Sequence, residues 1–146
     1  LMRLRIGYPS RADERRVLQA MPSQETLAAM QPVASGEDVA MLQSAARRVR
    51  FDDPLLDYLQ DIVEATRKHE MLHIGVSPRG GLALKSACQA YALVRGRQYV
   101  VPDDLKKLAG PVLAHRLVGR AYLTGGQVNS ADALLAEILA AVPSPQ

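Results

Sequence analysis

The chain has 146 residues, 48% hydrophobic and 23% charged, and a formal net charge of +3 with histidines neutral. That is enough for one globular domain with a real core. A single cysteine excludes an internal disulfide, no segment has the ~20 consecutive apolar residues of a membrane span, and no apolar signal region opens the chain, so a soluble cytoplasmic protein is expected. The basic residues are scattered in pairs, with no tryptophan and one phenylalanine, which argues against a nucleic-acid stripe or a base-stacking platform.

Apolar residues alternate with arginines in Met2-Arg3-Leu4-Arg5-Ile6-Gly7-Tyr8, which predicts a short half-buried strand. Ser10-Arg11-Ala12-Asp13 reads as a helix start whose apolar edge is Val17 and Leu18, ending near Met21-Pro22. Residues 22–36 are rich in Pro, Ser and Gln and form a connection, with Leu27 and Met30 as possible anchors against the core. Ser35-Gly36-Glu37-Asp38 opens the next helix, with Val39, Leu42 and Val49 at helical spacing. Asp53-Pro54 caps a further helix, in which Leu55, Leu59, Ile62, Val63 and Thr66 make a buried stripe to about Lys68.

Gly75-Val76-Ser77-Pro78-Arg79-Gly80-Gly81 turns a loop into a helix. Ser77 is a favoured N-cap, and Pro78 fits the first position, where its missing N–H costs nothing. Arg79 then sits among unpaired backbone N–H groups at the positive end of the helix, suiting a phosphate or carboxylate, and Gly80 and Gly81 would let a ligand approach the backbone. Taken alone, these seven residues read more simply as an ordinary capped helix with an exposed arginine. Leu84, Cys88 and Tyr91, with Ala87 and Val94, predict the central helix, stopped by Gly96. Tyr99-Val100-Val101 is briefly strand-like, Pro102-Asp103-Asp104 starts a short helix carrying Leu105 and Leu108, and Gly110-Pro111 should cut it before another short helix with Val112, Leu113 and Leu117. After a Gly-containing loop over residues 119–129, Ser130 caps a last helix with Leu134, Leu135, Ile138 and Leu139.

The chain carries no phosphate loop, nucleophile elbow or acidic metal cluster, so no self-contained catalytic site is evident. His69 and His73 lack the further ligands a zinc ion needs, His115 has no identifiable nucleophile or carboxylate partner, and Asp103 and Asp104 read as first-turn carboxylates.

The run Gly75-Val-Ser-Pro-Arg-Gly-Gly-Leu-Ala-Leu, followed by Leu93-Val-Arg-Gly-Arg-Gln-Tyr-Val-Val-Pro-Asp-Asp-Leu and by Pro111-Val-Leu-Ala-His-Arg-Leu, resembles the C-terminal lid of MoxR-family AAA+ ATPases. The opening Arg3-Leu-Arg-Ile-Gly-Tyr-Pro-Ser10 resembles that family's passage from core to lid. The departures are Val76 where Ala is usual and Val101 where a Thr cap would precede Pro102.

The resemblance implies an all-α helical bundle with a strand-like core-to-lid linker over residues 1–10, a helical lid over 11–142 and a tail over 143–146. It implies that Arg79 is the sensor 2 arginine, that Arg79 and Ser77 lie on the nucleotide, and that Gly7 and Tyr8 lie near its adenine. The lysine, metal-binding acid, sensor 1 residue and arginine finger would precede Leu1, making the chain a lid fragment without hydrolysis of its own. ATP and Mg2+ would be used by the full-length protein, and no metal is expected on the lid. The implied partners are the chain's own AAA+ core, a ring, expected to be a hexamer, and a client or von Willebrand factor A (VWA) domain protein, in a chaperone-like role. A free-standing helical module binding protein or nucleic acid is the alternative.

Overall fold

A computed structural model describes residues 1–20, 27–120 and 130–145. In chain order the described elements are α1 (Arg11–Ala20), α2 (Gly36–Arg47), α3 (Asp53–Lys68), β1 (Leu72–Ile74), α4 (Pro78–Val94), α5 (Pro102–Leu113), a 3-10 turn (Ala114–Arg116), β2 (Val118–Gly119) and α6 (Ala131–Ala141). The molecule is a helical bundle in which α4 and α5 form the most extensive pairing, and α3 and α6 close the core around them.

α3 buries Leu55, Tyr58, Leu59, Ile62, Val63 and Thr66, the inward stripe of the sequence with Tyr58 added. Its N-cap is Asp52 rather than Asp53, so the helix begins one residue earlier than the Asp-Pro signal suggests. On α4 the fully buried positions are Leu84, Cys88 and Ala92. Their steps of four turn the stripe away from Val94, which is 83% exposed, and leave Tyr91 at the margin. Burial pushes the Cys88 thiol up to about 12, assisted by the Asp104 charge, so Cys88 is a neutral core side chain. Gly96 takes φ +71 immediately after the helix and ends it as expected.

α5 continues through Pro111, where the sequence predicts a break. Pro111 falls in the last turn, so the missing N–H forfeits a single helical bond, and Val112, Leu113 and Ala114 beyond it are buried in the core. Val101 supplies no side-chain cap to α5, as its departure from Thr implies. Asp104 makes the reciprocal half, accepting from the Val101 N–H at 3.0 Å. Asp104 is also more than a first-turn carboxylate: it is buried and paired with both terminal nitrogens of Arg97, at 2.7 and 2.8 Å.

Two small β contacts tie connections together. β1 and β2 pair antiparallel, Leu72 opposite Gly119 and Ile74 opposite Val118, and Arg50 bridges to Tyr99 in parallel. The strand expected over residues 2–8 does not form: residues 1–10 are exposed and carry no strand. They are extended along the bundle by one backbone bond from the Arg3 N–H to the Pro111 carbonyl (2.8 Å) and by an Arg3–Asp132 ion pair (3.1 Å). An alternating pattern forms a strand only when it pairs with another, and the one described sheet, β1 with β2, does not include residues 2–8.

The N-terminal helices are placed as read but do not bury the residues assigned to the core. α1 and α2 contain no buried residue; Val17, Leu18, Val39 and Leu42 are exposed, as are Leu27 and Met30 of the connection. Val49, just past α2, is buried as expected. Parts of the expected 22–36 connection and 119–129 loop lie outside the described residues.

Candidate functional site

The start of α4 is fixed by the end of α3. Thr66 lies at the C-terminal end of the inward stripe of α3 and is fully buried. Its Oγ1 donates to the Val63 carbonyl at 2.6 Å and accepts from the Val76 N–H at 2.9 Å. Arg67 adds a bond from Nε to the Val76 carbonyl at 2.8 Å. Gly75 completes the clamp, because a Cβ there would lie 2.7 Å from the Arg67 Cα. Backbone presses on backbone at that point, and only glycine fits.

From this clamp Ser77 enters α4 as N-cap, accepting from the Gly80 N–H at 3.3 Å, with Pro78 in the first helical position. Arg79 follows in the first turn, exposed and without a hydrogen bond or ion pair among the described residues. Gly80 and Gly81 are both buried and serve packing, which corrects the expectation that they admit a ligand to the backbone. A Cβ on Gly80 would lie 2.6 Å from Val76 Cγ1 and 3.4 Å from Arg116 Cδ; one on Gly81 would touch Leu59 and Val63.

Arg79 lines an open hollow of about 480 Å³ with Leu1, Leu82, Ala83, Ser86 and Arg116. Arg116 crosses beneath the first turn of α4, its Nε donating to the Val112 carbonyl at 2.9 Å and its Nη2 to the Leu1 carbonyl at 3.2 Å. The surroundings are cationic: desolvation, then the charges of Arg116 and Arg3, hold His115 below the usual imidazole range. Such a surface favours an anion.

The structure brings Ser77 and Arg79 together in one helical turn. Gly7 and Tyr8 lie apart from that hollow's lining: Gly7 takes φ +76 and Tyr8 is fully exposed in the extended segment. His69 follows the end of α3 and His73 lies on β1, so the two do not share a helix face. Among the described residues no three His, Cys, Asp or Glu side chains cluster as a metal site, and no helix is long and apolar enough to cross a membrane. The clamp of Thr66 and Arg67 was not identified from the sequence. Its signal was present in Thr66, a short hydroxyl side chain among the aliphatic residues of the stripe, which calls for a hydrogen-bond partner when buried.

Residues 64–138 match the AAA lid domain family. The chain is 42% identical to an uncharacterised protein, YeaC, of Bacillus subtilis, over 99% of its own length and 45% of that relative. It is 35% identical to the chaperone MoxR1 of Mycobacterium tuberculosis, over 100% of its own length and 40% of that protein. Against the protein MoxR of Paracoccus denitrificans it is 31% identical over 83 residues, 57% of this chain and 24% of that one. The fold matches a crystal structure from Cytophaga hutchinsonii, assigned as an ATPase, with TM-score 0.82 and 23% identity over 99% of this chain and 46% of that one. The chain therefore spans less than half the length of these relatives.

Proposed function

The chain belongs to the AAA lid domain family, in its MoxR form, and from that membership we propose that it is the lid of an AAA+ ATPase in which Arg79 is the sensor 2 residue, contacting ATP phosphate when lid and core close. The observation that supports this most is the state of Arg79 itself. It is exposed, without a side-chain partner among the described residues, and held at a helix start whose position is set by a buried clamp. A permanently charged planar fork there can take phosphate oxygens bidentately, and the helix start adds a favourable field.

ATP supplies the bond that is broken, and the lid's part is to bind and orient its phosphates. The Ser77 hydroxyl holds the first turn of α4, which carries Arg79, and the Gly7-Tyr8 segment approaches the adenine side from the linker over residues 1–10. Mg2+ belongs with the core domain in this reading. Residues 11–142 form the lid proper and 143–146 its tail. The assembled protein is a cytoplasmic ring, a hexamer in this proposal, whose nucleotide-dependent lid movement drives chaperone-like remodelling of a client or a VWA-domain partner.

The test is ATP turnover by the ATPase that carries this lid. Arg79→Ala is expected to lower kcat about 100-fold, the scale of removing one preorganised donor from a developing charge, while thermal melting stays near wild type because Arg79 is exposed and makes no side-chain hydrogen bond or ion pair among the described residues. Arg79→Lys should recover only part of the rate, since it keeps charge without the fork. Unchanged turnover and nucleotide affinity in Arg79→Ala would reject the assignment.

A further inference from the structure

The hollow beside Arg79 holds a second arginine that the sensor reading leaves unused. Arg79, Ala83 and Ser86 recur along one face of α4. Arg116 reaches the same hollow from the 3-10 turn after α5. Its stem is fixed where Gly80 lacks a Cβ, with Arg116 Cδ only 3.4 Å from the place a Cβ would occupy. Two of the five N–H donors of a guanidinium are spent on the Val112 and Leu1 carbonyls, which leaves three for another acceptor.

No carboxylate lines the hollow among the described residues. Five arginines elsewhere do meet a carboxylate, Arg3 and Arg5 at Asp132, Arg16 at Asp13, Arg50 at Asp52 and Arg97 at Asp104, whereas Arg79 and Arg116 share a hollow without one. Two cations at one hollow repel each other unless an anion lies there. His115, next in sequence to Arg116, is held below the usual imidazole range first by desolvation and then by the Arg116 and Arg3 charges.

We propose that Arg116 is a second phosphate-binding side chain, which with Arg79 grips the polyphosphate of the bound nucleotide from opposite sides of this hollow. The inference rests on the sensor reading of Arg79 and adds a residue to it. The two arginines divide the work. Arg116 is already held by its carbonyl contacts and loses little freedom on binding, whereas Arg79 is unattached and can follow the phosphates as they change. Ser86 offers a hydroxyl to the same group.

The competing role for Arg116 is a cap on the last carbonyls of α5. Arg116→Met in the intact ATPase separates the two, because methionine keeps an apolar stem beneath Gly80 without the charge. Affinities for ATP and AMP are measured for wild type, Arg116→Met and Arg79→Ala, with melting temperatures alongside. Loss of a charge-assisted contact predicts about 10-fold weaker ATP binding in Arg116→Met, with AMP affinity and melting near wild type. Arg116→Lys, which retains stem and charge, is expected to bind ATP about 3-fold less tightly, and it carries the test if the methionine variant does not fold. ATP binding lost in Arg79→Ala but unchanged in both Arg116 variants would overturn this inference and leave the sensor reading standing, as would equal losses for ATP and AMP in the Arg116 variants. ATP binding unchanged in all three would overturn both.

Discussion

At Gly75 a missing methyl group decides where α4 can start. An added Cβ would lie 2.7–2.8 Å from backbone atoms of Thr66 and Arg67. Neither can retreat without unwinding the last turn of α3. Gly75→Ala is therefore expected to destabilise the protein by about 2–3 kcal/mol, as overpacking against unyielding neighbours does. Gly36→Ala, whose Cβ would meet nothing within 4 Å, should stay within about 0.5 kcal/mol of wild type. Urea denaturation of the two variants checks the contrast, and equal stabilities would contradict it. The sequence marks all these glycines alike. Gly75 and Gly80 differ from Gly36 only in what folds against them, so spacing alone could assign Gly80 and Gly81 to ligand access when their space is filled by Val76, Arg116 and Leu59.

The elements that read most clearly are those whose local signals and burial agree. α4 begins at Ser77-Pro78 and ends before Gly96, and α6 begins at Ser130, because caps act through backbone bonds within a few residues. α5 runs through the break that Gly110-Pro111 predicts, because a proline near a helix end costs one bond while the buried residues beyond it favour continuing. The clamp between α3 and α4 was not legible, since Thr66 and Val76 are joined only by the fold. Thr66→Val removes the Oγ1 acceptor and strands a buried Val76 N–H. The expected cost is about 2 kcal/mol, together with faster amide exchange at Val76 and in the first turn of α4. Exchange unchanged at those amides would show that the clamp does not hold the helix start.

Over the whole molecule, burial divides the chain. From Val49 onward the described helices share one core, whereas α1 and α2 bury nothing and expose Val17, Leu18, Met41 and Leu42. Amphipathic spacing was legible there, but spacing cannot tell a face covered by this chain from one that it leaves open. The same division explains the opening segment, whose alternation forms no strand among the described residues. Arg79 and Arg116 meet at a hollow that no carboxylate lines among the described residues, which gives the bundle a cationic side suited to an anion.

The central claim is that the Arg79 guanidinium acts on ATP phosphate, and chemical rescue tests it most directly. Single-turnover ATP cleavage is followed in the Arg79→Ala ATPase with and without added guanidinium ion. The cleavage rate is expected to fall about 100-fold below wild type and to be partly restored by guanidinium, with no such gain in the wild-type enzyme. Cleavage by Arg79→Ala at the wild-type rate would contradict it.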